Sequence, residues 1–481
     1  MQIQASLPVQ GAGRDQEKEK LEVKSPSMAE QTARDAPMSL IQEIRENMAL
    51  PQQPSTTLDI SEDSIISSFI SEELASRLLD GRWLFMSTEP ADIYSKSSLL
   101  LGTCSLAGFH SIPSLHGSET HHILYRHVHG LLGRAHLAST ASLDTIQAML
   151  IFSMWDLRPT RDHDHRNSWL LSGMAAMQVV MTTRFDQLLC ANNSSQANQS
   201  RELMRTWNLI CLCQLQYASQ VSGLIAAFHL YFDQCAKILE FPFYNSRDEL
   251  VLAGVELYRT LWDLTSSIVI QKESATWPEI DRLRKTHDHI YKLDSSEPLR
   301  FAYSCTYLIL ARRTLQHLNY AEIVNEPESK DLSTTSQKLP FIKEAILHSH
   351  KLLRLFLSMS DLTTYIHPAY ETLLCSFAMV TLAEFVSHIS DVNETVDLME
   401  GVISHIHHGG KAEPVSRWSL NIVRQHLIGN GGQEPPISTV IDNNLYGTLM
   451  ADEALKPWEE GDWSFEQEFP SLEEMFFGNV V

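Results

Sequence analysis

Histidine and cysteine have the most chemistry to offer in this chain, with 21 histidines and seven cysteines among 481 residues. Either type can ligate a metal. Their spacing argues against that use. His122, His129 and His136 recur every seventh residue, which on a helix places their Cα atoms about 10.5 Å apart, too far to share one ion. His121, His127 and the pairs His163/His165 and His407/His408 read as polar-face or interface residues. Cys211 and Cys213 sit in the apolar run Asn208–Cys213. On a helix two such residues point about 200° apart, so they suit a core and not a chelate. The full set (Cys104, Cys190, Cys211, Cys213, Cys235, Cys305 and Cys375) is odd in number and irregular in spacing, which fits no disulfide framework. Mostly apolar flanks make them small buried hydrophobes, and their use points to a reducing compartment.

No other catalytic constellation stands out. Gly409-Gly410-Lys411-Ala412 lacks the earlier glycine and the hydroxyl of a phosphate loop. The chain has no HExxH, no Gly-x-Ser-x-Gly elbow and no dinucleotide fingerprint, so catalysis, a cofactor and a bound metal are not expected. The net charge of −22 repels phosphate backbones and argues against a broad DNA-binding face. Arg312-Arg313 and Arg282, Arg284, Lys285 are short and lie on patterned helices, where solvated positions are usual. No apolar run approaches the roughly 20 residues of a membrane span.

The elements that would carry these residues are helices. Residues 1–57 are polar, mixed in charge and interrupted by five prolines, a composition that predicts a mostly disordered arm. From 58 to 430 apolar residues recur three or four apart, beginning with Ile65, Ile66, Phe69, Ile70, Leu74 and Leu78. Such patterns repeat near 96–110, 119–137, 144–157, 168–183, 201–216, 219–239, 248–271 and 278–293. They continue near 297–318, 341–359, 367–388, 394–407 and 415–427. Ala191–Ser200 and Glu326–Lys338 read as internal loops. The expectation is an all-α, large irregular array of about 14 helices, ending at Gly429-Asn430-Gly431-Gly432.

Four segments, in this order, resemble the fungal-specific transcription factor domain, the regulatory middle region of fungal binuclear-zinc-cluster proteins. Asp144–Ile151, continuing to Trp155, is similar to the family's "TIQALLLLSxW" helix, with Asp144 and Gln147 spaced as a capping box. Ser168–Ala175 is similar to "SWxLxGMAIRMA", and Gly173 beside small residues suggests a close helix approach. Arg205-Thr206-Trp207 leading to Gln216–Ser219 resembles "RRTWWxLFxxDRxLS", with Gln214 and Gln216 in place of the charged pair. Pro368–Tyr370 with Cys375–Leu382 looks like a late family helix.

The resemblance implies a nuclear transcription regulator. The family's zinc cluster needs six cysteines in a compact basic stretch, whereas the first cysteine here is Cys104. The expectation is a regulator that makes no direct DNA contact through this chain. It would work through coactivators or a DNA-bound zinc-cluster partner, as a homodimer or heterodimer. Residues 431–481 read as an acidic, aromatic tail. From Asp442 onward ten acidic residues face one basic residue, a local charge of −9. Trp458, Trp463, Phe465, Phe469, Phe476 and Phe477 are interleaved there as candidate partner-binding residues of an activation segment. A helical metabolite-binding protein or enzyme is the alternative.

Overall fold

The computed structural model describes residues 97–109, 115–136, 140–155, 157–159, 165–189, 194–219, 229–266, 275–324, 332–360, 367–406 and 414–429. The arm 1–57, the pattern at Asp59–Leu79 and the tail 431–481 lie outside them.

Among the described residues are thirteen α-helices, three 3-10 segments and no strand, so the chain is all-α. The helices are α1 (Ser98–Phe109), α2 (Glu119–His136), α3 (Leu143–Met154), α4 (His165–Thr182), α5 (Ser194–Ala218), α6 (Ser246–Ser266) and α7 (Pro278–Thr286). They continue with α8 (Asp288–Tyr291), α9 (Glu297–Val324), α10 (Leu332–Ser360), α11 (Ala369–Glu384), α12 (Val392–Ile406) and α13 (Pro414–Gly429). α1, α3 and α11 are apolar on nearly every face and buried along most of their lengths, as central helices must be. α9 and α10, 28 and 29 residues long, pack along each other more extensively than any other pair. α5 touches α3, α4, α6 and the 3-10 segment His229–Glu240, so it joins the early helices to the later ones.

Several boundaries differ from the sequence pattern, each for a local reason. α5 begins at Ser194, so most of the expected loop Ala191–Ser200 is helix; its polar residues form a solvated helical face. α10 likewise begins at Leu332, within the expected loop Glu326–Lys338, and runs on through Pro340. The expected capping box at Asp144 is not formed. Ser142 caps α3 by accepting from the Thr145 amide, and Gln147 turns inward.

The pattern at 278–293 is broken at His287, whose buried ring lies 2.8 Å from the Glu256 carboxylate on α6. Residues 229–240 are 3-10 and not α. Phe232, Cys235, Ile238 and the following Phe241 are buried, and their strict spacing of three matches a helix with three residues per turn. Arg312, expected on a solvated face, is 5% exposed and pairs at 2.6 Å with Glu384 of α11. Gly173 is not a site of tight approach, since a Cβ there meets only Gln214 Nε2 at 3.6 Å. The closer contact is at Gly254 on α6, where a Cβ would lie 3.2 Å from Leu212 Cδ1 of α5.

Candidate functional site

The four motif segments converge on α5. Its residues carry side chains long enough to cross to neighbouring helices and polar enough to fix where they land. Gln147 of α3 donates to Thr206 Oγ1 at 3.2 Å and Glu202 Oε1 at 3.3 Å. Gln214 donates to the Trp169 carbonyl at 2.8 Å and to Ser172 Oγ at 2.6 Å on α4. Tyr217 donates to the Ser153 carbonyl of α3 at 3.3 Å. Its ring meets Tyr370 of α11 edge-on, with centroids 5.8 Å apart. Tyr370 makes a second edge contact, also 5.8 Å, with Tyr258 of α6. The first, second and fourth segments therefore each touch the third through a named side chain.

Arg205 closes the other face of α5. It grips Asp248 with two bonds of 2.7 Å, and both side chains are at most a tenth exposed. Asp248 also accepts from the Asn245 amide, while Asn245 Oδ1 accepts from the Asp248 amide. This reciprocal pair is a capping box at the start of α6. It fixes the turn before it, where Phe243 stands at φ 67° and 84% exposed. Arg201 holds that turn by donating to the carbonyls of Pro242 and Phe243, both at 3.3 Å. Beside it lies an open groove of about 310 Å³ lined by Leu188, Leu189, Ala197, Glu240, Phe241 and Pro242.

The chemistry of the buried junction is that of a scaffold. Burial pushes the Cys213 thiol up to about 11 and the Cys305 thiol up to about 12. It also raises the Tyr258 and Tyr370 phenols well above their ordinary range. All four groups therefore stay protonated at neutral pH and none supplies a thiolate or phenolate nucleophile. Cys211 is likewise raised by burial and by its neighbour Cys235, consistent with a packing role for the Cys211/Cys213 pair.

The singled-out histidines go separate ways. His122 is exposed and His129 stacks on Tyr125, with centroids 5.5 Å apart. The side chains of His136, His163, His165, His407 and His408 lie outside the described residues. His121 is fully buried. Its Nδ1 accepts from the Gly117 amide at 3.1 Å, which leaves Nε2 to donate to the Leu157 carbonyl at 3.0 Å. Among the described residues no three metal-binding side chains are grouped, and no described helix is long and apolar enough to cross a membrane.

The six tail aromatics Trp458, Trp463, Phe465, Phe469, Phe476 and Phe477 lie outside the described residues. Sequence reasoning missed Gln147 and Gln214 as bridges, because an interior glutamine looks the same whether it faces water or a neighbouring helix. It also missed the Phe243 turn; Pro242 and Asn245 mark a turn, but nothing marks an exposed phenylalanine.

Comparison with known proteins gives this helical scaffold a lineage. A family model described as the middle domain of the transcriptional activator of proteases prtT matches residues 69–426. The chain is 26% identical over 209 residues to the transcriptional activator of proteases prtT of Aspergillus niger, covering 43% of this chain and 33% of that protein. With the protein of the same name from Aspergillus fumigatus it shares 25% over 272 residues, 53% of this chain and 38% of the relative. With that of Aspergillus clavatus it shares 23% over 301 residues, 58% and 46%. The alignments thus span between a third and a half of the length of these curated relatives. No solved structure matches. The resemblance read from the four segments is borne out, and the chain belongs to the family of prtT-like middle domains of fungal transcription activators.

Proposed function

We propose that the chain regulates transcription in the nucleus, with the helical array as its control domain and residues 442–481 as an acidic activation segment. The observation that carries this reading is the family match over residues 69–426, in relatives named as transcriptional activators of proteases. The net charge of −22 favours protein partners over phosphate backbones. The array would reach a promoter through a DNA-bound zinc-cluster partner and pass the signal to coactivators. In the tail, acidic residues keep Trp458, Trp463, Phe465, Phe469, Phe476 and Phe477 solvated until a coactivator groove takes them up as an amphipathic helix. The role is non-enzymatic, in keeping with relatives named as transcriptional activators.

A tethered reporter tests the proposal. The full chain fused to a heterologous DNA-binding domain raises reporter output, and deletion of residues 442–481 removes most of that rise. Full output after the deletion overturns the role of the tail. No change in output with the full fusion overturns the regulatory reading itself.

A further inference from the structure

Phe243 combines two features that rarely coincide. A bulky residue in the left-handed region is strained, and a large aromatic side chain normally finds cover. Here φ is 67° and the ring is 84% exposed. The backbone beneath it is nonetheless firmly built, by Arg201 on the carbonyls of Pro242 and Phe243 and by the Asn245/Asp248 capping box. Next to this projecting ring is a depression of about 310 Å³ walled by Leu188, Leu189, Phe241 and Pro242. Leu189, Leu239 and Tyr244 add further exposed apolar surface at 38%, 40% and 44%.

A knob and a hollow side by side on one surface are self-complementary under a two-fold axis, because the axis brings the knob of each copy to the hollow of the other. The charges match in the same sense. Glu240 lies on the wall of the hollow and Arg247 follows the knob by four residues. Both are exposed, and neither side chain joins an ion pair among the described residues. We propose that two copies of this chain pair through this face. Phe243 of each enters the groove of the other, and Arg247 meets Glu240 of the partner subunit. The acidic tail is a poorer occupant, since Glu240 repels it at the wall of the groove. A phenylalanine buries about 150–250 Å². Two reciprocal insertions with their apolar rim therefore make an interface at the small end of the specific range, below about 1,200 Å² in total.

Sedimentation equilibrium of the full chain between about 1 and 100 μM, where interfaces of modest quality associate, tests this pairing. The expected result is a monomer–dimer equilibrium that Phe243→Gly weakens at least tenfold. Glu240→Arg and Arg247→Glu each weaken it several-fold, and the two reversals together recover most of the loss. All three positions are exposed, so circular dichroism should report an intact fold. A chain that stays monomeric throughout overturns the proposal. So does a dimer indifferent to Phe243→Gly, or a double reversal no tighter than either single one. A dimer that appears only after residues 442–481 are deleted also overturns it, by showing that the tail fills the groove.

Discussion

His348 offers a test of the packing between the two longest helices. It lies on α10, 8% exposed, with its ring stacked on Tyr307 of α9 at 4.7 Å and an interplanar angle of 17°. Burial first, and then the nearby Lys351, lower its pKa from 6.5 to about 4. Glu344 Oε2 is 3.3 Å from Nε2. The carboxylate would favour the charged ring, but burial outweighs it and keeps the ring neutral. The sign follows from which state binds the proton. Between pH 6.5 and 4 the unfolded chain protonates this histidine and the folded chain does not. The stabilisation is complete above the unfolded value and is lost as pH falls through that window. A tenfold rise in proton activity inside the window costs about 1.4 kcal/mol, so the loss is about 1.4 kcal/mol at pH 5.5 and about 2.5 kcal/mol at pH 4.5. Burial also raises the Glu344 carboxyl, which works in the opposite direction.

His348→Phe keeps the stacked ring and removes the proton. Urea unfolding followed by circular dichroism, at about pH 7, 5.5 and 4.5, should show the native chain losing stability faster than the variant by those amounts. Other carboxylates titrate equally in both proteins and cancel in the difference. Two curves that fall in parallel to within about 0.5 kcal/mol, the usual limit of additivity, would falsify the reasoning.

Two further expectations concern α5 and its neighbours. Asp248→Ala strands the buried Arg205 guanidinium and opens the capping box, and should cost about 3–5 kcal/mol; a loss below about 1 kcal/mol in urea unfolding, the scale of a cap alone, would sink that account of the pair. Gly173→Ala should be neutral or stabilising by up to about 1 kcal/mol, because its nearest neighbour is at ordinary contact distance; a lowered thermal midpoint would mean that α4 and α5 meet more tightly at this point.

The helical class was legible because burial and periodicity say the same thing along most of the chain. Leu99–Phe109 and Thr145–Met154 are mostly apolar, and every residue in them is buried. The ends of helices were less legible, because a polar first turn such as Ser194–Ser200 resembles a loop until the helix beyond it is seen. Motif order identified which helices matter, yet the bonds joining them depend on three-dimensional neighbours. Gln214 stands out only as a departure from a charged pattern, although its amide links α5 to α4. Arg312 shows the same limit: its burial depends on Glu384, 72 positions away in sequence. The segment 219–239 was read as one more pattern of three-or-four spacing, and the three-residue run Phe232, Cys235, Ile238, Phe241 within it takes its meaning only from the 3-10 geometry of His229–Glu240.

That 3-10 segment gives one stretch of the chain a fixed length. Twelve residues is long for a helix of this kind, and its buried apolar side chains, from Phe232 to Ile238 and on to Phe241, follow one another every three positions. Each residue turns the chain by about 120°, so one insertion or deletion within 229–240 rotates every later anchor off its slot. It would also carry the Phe243 turn away from Arg201. Substitution along the exposed edge, at Asp233 or Leu239, leaves that phase untouched. Along this stretch, variation among descendants should therefore change letters while conserving their number, and an epitope tag or fluorescent insertion should be placed elsewhere.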